Sequence, residues 1–243
     1  MNKIARDVSI IGDVVLGVNN HIESGAVLIG PLVIGDGNFI GNYSVIGGSP
    51  QDEQIKLNDI KLRFAGQGRI SHSISIGDNN VFREFTTVHA GLTSQTKIEN
   101  DCYIMAYAHI AHDCLIMNEV KMANHVQLAG YSTLMKKSYL GMGALVHQFT
   151  VVGQYSMVGM GAVVNKNIIP FGLSVGNPAR TLKLNEIALD KLGIESELWK
   201  NAYLQNPKAS SLPSNLQESF DEYQFQLSMR LKDRAEVTKL RNV

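Results

Sequence analysis

Residues 98–164 read IENDCYIMAYAHIAHDCLIMNEVKMANHVQLAGYSTLMKKSYLGMGALVHQFTVVGQYSMVGMGAVV. Stepping by six from Ile98 lands on Ile104, Ile110, Ile116, Met122, Leu128, Leu134, Leu140, Val146, Val152, Val158 and Val164, every one apolar. From Ala108 to Ala162, the residue four places after each of these is small or short, as at Cys114, Ser132, Ser138, Ala144 and Ser156. Two inward positions per hexad, with Gly and Asn frequent elsewhere, predict a short strand and a turn repeated as a solenoid, its layers about 4.8 Å apart.

Upstream, the same step runs from Ile4 through Ile10, Leu16, Ile22, Leu28, Ile34, Ile40 and Ile46, then resumes at Ile70, Ile76, Phe82 and Val88. Residues 48–69 are therefore expected to leave the repeat and rejoin it. The stretch Gly91–Lys97 shifts the phase by four, and both breaks are candidate functional loops. The hexad resembles that of left-handed parallel β-helices, in which three hexads close one triangular coil. Periodicity does not supply that handedness; the resemblance does. The expected fold is mainly β, a solenoid over 1–180 followed by a small helical domain over 181–243. In the latter Asn185 caps a segment closed by Gly193, a second helical stretch covers Glu195–Leu204, and a loop at 208–215 precedes an amphipathic run over Leu216–Leu240.

The 22 basic and 22 acidic residues cancel, so no general field draws the chain to nucleic acid or anionic lipid. No apolar run approaches the roughly 20 residues that span a bilayer, and the N-terminal stretch lacks a secretory apolar core, which predicts a cytoplasmic protein. Cys102 and Cys114, the only cysteines, are expected to be reduced thiols.

With positions three hexads apart stacked on successive coils, His112 points outward one layer below Gly130, and Asp113 lies under Tyr131, itself under Phe149. An outward imidazole beside a carboxylate and an unhindered backbone N–H is a candidate general base; a plain surface histidine is the alternative. His109, His125 and His147 lie on the same stretch and raise a zinc reading, which requires three imidazoles converging at about 2.0–2.1 Å from one ion.

AHIAHDC at Ala108–Cys114, LAGY at Leu128–Tyr131 and VHQF at Val146–Phe149 resemble the signature blocks of the UDP-N-acetylglucosamine O-acyltransferase family. IGGSPQD at Ile46–Asp52, RFAG at Arg63–Gly66, REFTTVHAG at Arg83–Gly91 and GNPAR at Gly176–Arg180 extend the resemblance in order over about residues 1–195. It implies transfer of a 3-hydroxyacyl chain from acyl carrier protein to the 3-hydroxyl of UDP-N-acetylglucosamine, the first step of lipid A synthesis, with no cofactor and no metal. His112 would be the base, Asp113 its orienting acid and Gly130 N–H the oxyanion donor. Asp52, Arg63, His89, His109, Tyr131, His147, Gln148, Asn185 and Lys191 would bind the acceptor, and neighbouring subunits of a homotrimer would form each site.

The chain departs from that family's pattern at Tyr131, where histidine is usual, and at NEIALDKLG, Asn185–Gly193, which keeps only Lys191 where a paired-arginine segment is usual. EQIKLNDIK, Glu53–Lys61, is an added stretch expected to lengthen a loop. These departures keep open an N-acyltransferase acting on an amino-sugar nucleotide. Met160 stands above Met142 where the family's acyl ruler is often glycine, which predicts shorter acyl chains; the alternative is a methionine filling a subunit interface. Arg230, Lys232, Arg234, Lys239 and Arg241 make the end of the last helix basic, a candidate surface for the acidic carrier protein.

Overall fold

A computed structural model describes residues 1–66, 72–197, 199 and 214–241. The solenoid is there: among the described residues three sheets of ten, eight and seven strands, parallel except for the last strand of the first, form the walls of a prism. The first wall contains Tyr103–Ile104, Lys121–Met122 and Tyr139–Leu140. The second contains His109–Ile110, Gln127–Leu128 and Leu145–Val146, and the third Leu115–Ile116, Thr133–Leu134 and Val151–Val152. Registers such as His109↔Gln127 and Gln127↔Leu145 set each strand over the one a full coil, or three hexads, before it. Ile104, Ile110, Ile116, Leu128, Leu134 and Leu140 are fully buried inside the prism.

The corners explain why a hexad suffices. From Asp101 to Gly161 every sixth residue has a φ between 55° and 68°, in the left-handed region, and nine of those eleven residues are not glycine. Each such residue costs about 1–2 kcal/mol, which the stacking must offset. Part of the compensation comes from asparagine ladders: the backbone N–H of Asn38, Asn80 and Cys102 donates to the side-chain oxygen of Asn20, Asn38 and Asn80 respectively, at 2.8–2.9 Å. Rings supply more, as Phe85 stacks on Tyr107 and Tyr107 on His125 at 4.9 Å between centroids.

Both breaks in the repeat leave after a strand of the second wall, at the corner that also holds Asp113. Ile46 pairs with Val88, seven hexads on where an uninterrupted coil needs three, so the insertion is four hexads long and the phase survives. The strand before the insertion ends at Gly48, and the coil resumes with Ile74–Ile76. The added stretch is more than a longer loop, because Leu57–Phe64 forms helix α1. At the second break, pairs such as Val81↔Tyr103 exceed the length of one coil by four positions.

An antiparallel pair, Gly172–Val175 with Arg180–Leu184, ends the solenoid and straddles the expected boundary at 180. Helix α2, Glu186–Lys191, is capped by Asn185, whose Oδ1 accepts from Ala188 N–H. Trp199 is fully buried with Phe171 and Leu189. Helix α3, Ser214–Arg241, lies against the third wall, where Tyr223 and Leu227 pack on Met135 and Val151. The core position expected at Ile70, most of the helical stretch Glu195–Leu204, the loop residues 208–213 and the side chains of Lys239 and Arg241 lie outside the described residues.

Candidate active site

His112 sits just before the corner residue Asp113, and the strained left-handed turn at Asp113 (φ 59°) folds its carboxylate back onto the imidazole. His112 Nδ1 lies 2.7 Å from Asp113 Oδ2. The ring rests on Gly130: a Cβ there would stand 2.6 Å from His112 Cε1 and 2.8 Å from Nε2. Gly130 N–H donates to no backbone carbonyl among the described residues, so it is available beside Nε2. The stacking expected from the coil column is therefore present at atomic contact.

Asp113 is 1% exposed and holds the second break in the repeat around itself. Its carboxylate accepts from the backbone N–H groups of Leu92 (2.8 Å), Thr93 (2.9 Å) and Ser94, and from the hydroxyls of Thr93 (3.2 Å) and Ser94 (2.9 Å). Burial pushes its pKa up, but the bonds from His112 and from these backbone amides outweigh burial and hold it below the usual carboxylate range. A depressed acid stabilises the fold above its unfolded pKa, and that contribution disappears as pH falls through its folded value. Gly91 makes the turn possible, because a Cβ there would overlap the Ser94 carbonyl. Sequence shows this loop only as a phase break; which side chain it wraps is not visible there.

A cavity of about 450 Å³ opens at His112, lined by Asp52, His109, Gly130 and Gln148, with Gln51 and Gln127 beside them. Other residues expected to bind the acceptor stand elsewhere. Tyr131 is 2% exposed; its ring meets His112 edge-on at 5.2 Å and stacks on Phe149 at 4.7 Å, and its hydroxyl accepts from Thr93. It packs against the dyad from the next coil instead of lining the cavity. Arg63 is buried on α1 and donates through Nε to the Gly47 carbonyl at 2.7 Å, so it ties α1 to the coil. Asn185 and Lys191 lie at the corner of Tyr155, whose carbonyl Asn185 Nδ2 binds at 2.9 Å. That is a different corner of the prism from His112, and within one chain these two residues do not reach the cavity.

His109 Nδ1 lies 2.8 Å from Thr87 Oγ1 and meets His89 edge-on at 4.9 Å. Burial, aided by repulsion from His109, lowers the His89 pKa to about 4, so His89 is neutral where an unfolded histidine would begin to charge. Above an unfolded pKa of about 6.5 the residue is neutral in both states, and below it the unfolded chain binds the extra proton. His89 should therefore cost about 2 kcal/mol of stability at pH 5. Comparing urea unfolding of the parent and His89→Gln at pH 7 and pH 5 checks this; an equal loss in both proteins would remove the effect. His147 Nδ1 lies 3.1 Å from the Gln148 carbonyl, one layer above Gly130. Among the described residues no three His, Cys, Asp or Glu side chains are placed to hold one metal ion.

Arg230, expected on a surface presented to the carrier protein, is buried. Its Nε donates to Thr133 Oγ1 at 2.7 Å and its Nη1 to the Asp113 carbonyl at 3.3 Å and to Asp233 at 2.8 Å. It fastens α3 behind the dyad.

Residues 95–130 match the family "Bacterial transferase hexapeptide (six repeats)". Over 201 residues the chain is 34% identical to the acyl-(acyl-carrier-protein)–UDP-N-acetylglucosamine O-acyltransferase of Campylobacter concisus, an alignment covering 80% of this chain and 72% of that one. The chain belongs to the UDP-N-acetylglucosamine O-acyltransferase family. The same enzyme of Gloeothece citriformis is 37% identical across 71% of this acyltransferase and 59% of its own length, so the shared part is shorter than the relatives. Among solved structures, the UDP-N-acetylglucosamine acyltransferase of Campylobacter jejuni is 29% identical with a TM-score of 0.68, covering 86% of this chain and 85% of that one. That of Bacteroides fragilis is 27% identical with a TM-score of 0.69, covering 91% and 89%. This acyltransferase shares their left-handed β-helical fold, the handedness expected for the solenoid. No helix among its described residues is long and apolar enough to cross a membrane.

Proposed function

We propose that this chain transfers a 3-hydroxyacyl group from acyl carrier protein to the 3-hydroxyl of UDP-N-acetylglucosamine, the step that begins lipid A synthesis, and does so in the cytoplasm. The observation that carries the reading is the His112 ring, held at 2.7 Å by an ionised Asp113 and pressed on Gly130 at the mouth of a cavity. With the carboxylate at Nδ1, the Nδ1–H donates to Asp113 and the Nε2 lone pair faces the substrate. Nε2 takes the hydroxyl proton as the oxygen attacks the thioester carbonyl. The Gly130 N–H bonds the tetrahedral oxyanion, which collapses and expels the carrier's thiolate, and that thiolate takes the proton from the imidazolium.

Purified protein should acylate UDP-N-acetylglucosamine from at least one member of a series of 3-hydroxyacyl carrier proteins. The 3-amino sugar nucleotide belongs in the same assay, because Lys191 is the only cation of α2; acylation of the amine alone would replace O-acyl by N-acyl transfer.

A homotrimer follows from the same reading. Asn185 and Lys191 sit at a different corner from His112, so a neighbouring subunit must bring its corner to this cavity if all of them bind one acceptor. Sedimentation should read three chains, and a monomer would defeat this part. Met142 and Met160 are 50% and 75% exposed, on the corner across the second wall from His112. An acyl chain running from His112 over Gln127 and Leu145 would end against them. Met160→Gly should raise the kcat/KM ratio of long to short 3-hydroxyacyl donors about tenfold or more, and an unchanged ratio would show that Met160 only fills an interface.

A further inference from the structure

We propose that the cleft between α3 and the last coil is a phosphate-binding site whose charges come from Lys166 and Arg234. The cleft measures about 570 Å³, and Lys166, Arg230 and Arg234 line it with no carboxylate among its lining residues. In a chain whose charges sum to zero, such a one-signed pocket is a local feature. Arg230 is occupied by Thr133, the Asp113 carbonyl and Asp233. Lys166 and Arg234 are exposed, and neither makes an ion pair among the described residues. Asn167 adds a neutral donor: its Oδ1 is taken by Val151 N–H at 2.9 Å, which leaves its NH2 group to bind an oxyanion.

Position specifies the ligand further. Gln148 lines both this cleft and the cavity at His112. Positions 112, 130, 148 and 166 follow at the spacing of one coil, so Lys166 stands three layers along the axis from His112, roughly 14 Å away. A molecule with its reacting end at His112 can therefore place a phosphorylated segment between Lys166 and Arg234, where a guanidinium fork and an ammonium favour a doubly charged oxyanion. Both substrates proposed above carry a phosphorylated segment, the doubly charged nucleotide diphosphate of the acceptor and the singly charged phosphodiester on the carrier's pantetheine arm. The continuity with His112 rests on that proposed reaction; the phosphate site itself does not.

The test is calorimetric titration of the full chain with inorganic pyrophosphate, without turnover. The parent should bind, and Lys166→Ala with Arg234→Ala should weaken binding at least tenfold, each single change less, with Lys183→Ala as an exposed control that leaves it unaltered. Salt should weaken the parent more than the double variant. UDP and 4′-phosphopantetheine are then titrated, and the one whose binding falls with the double variant names the source. If the parent fails to bind pyrophosphate, or the folded double variant binds it as the parent does, the site is overturned. If the site binds but no acyl transfer is found with any donor, the proposed reaction fails and the phosphate site stands.

Discussion

His112→Ala lowers kcat by a factor of about 10² to 10⁴ and leaves the fold in place. The size follows from what the side chain does in the proposed reaction. No other imidazole can take over: His109 is turned to Thr87, and His147 stands one layer up against the Gln148 carbonyl. The fold survives because His112 contributes a packed ring at the corner that also holds Asp113 and no element depends on it, whereas Asp113 anchors five donors of the 91–94 loop. Asp113→Asn is for that reason a poorer probe, since it sets an amide NH2 against those donors and mixes lost orientation with a loosened loop. Steady-state kinetics beside thermal unfolding separates the two effects. A His112→Ala protein that turns over as fast as the parent would make the solenoid a scaffold and not the catalyst.

Gly130→Ala is expected to cost about 10² in kcat with little change in stability. Its backbone is not in the left-handed region, so alanine is tolerated there conformationally. The added methyl would stand 2.6 Å from His112 Cε1, and the imidazole, tied to Asp113 and flanked by Tyr131, must tilt away. A shift of about 1 Å at a reacting centre is enough for such a loss. Activity within twofold of the parent would mean that Nε2 and the Gly130 N–H do not act on one substrate.

Much of this is legible in the residues. The hexad step sets which side chains enter the prism, and the coil of three hexads puts His112 beside Gly130. The limits of that reading have physical causes. A loop is seen in a periodic sequence only as lost phase, so the Leu92–Ser94 cradle of Asp113 cannot be told from a bland surface turn. Arg63 is expected to bind the acceptor because the resemblance supplies its charge and not its depth; its guanidinium is instead buried against Gly47. The apolar stripe of α3 announces a packing face, but three walls are open to it, and the choice of the third wall turns Arg230 from a surface cation into a buried strut. Tyr131 is expected to touch the acceptor because it stands where the resembled family has histidine, and its burial against the dyad is not visible in the residues.

The two insertions suggest how such a chain can lengthen without losing its chemistry. The first adds a whole number of hexads, and the second adds four positions that never enter a wall. An extra hexad spliced into the stack between His112 and Gly130 would carry every later side chain to the neighbouring wall and separate these two residues. A full extra coil between Gly130 and Met142 would keep every azimuth and move the two methionines one layer further away, about 4.8 Å. If the acyl chain ends against Met142 and Met160 as proposed, acyl-length preference along this prism has two gears, a fine one in the size of a single side chain and a coarse one in whole coils.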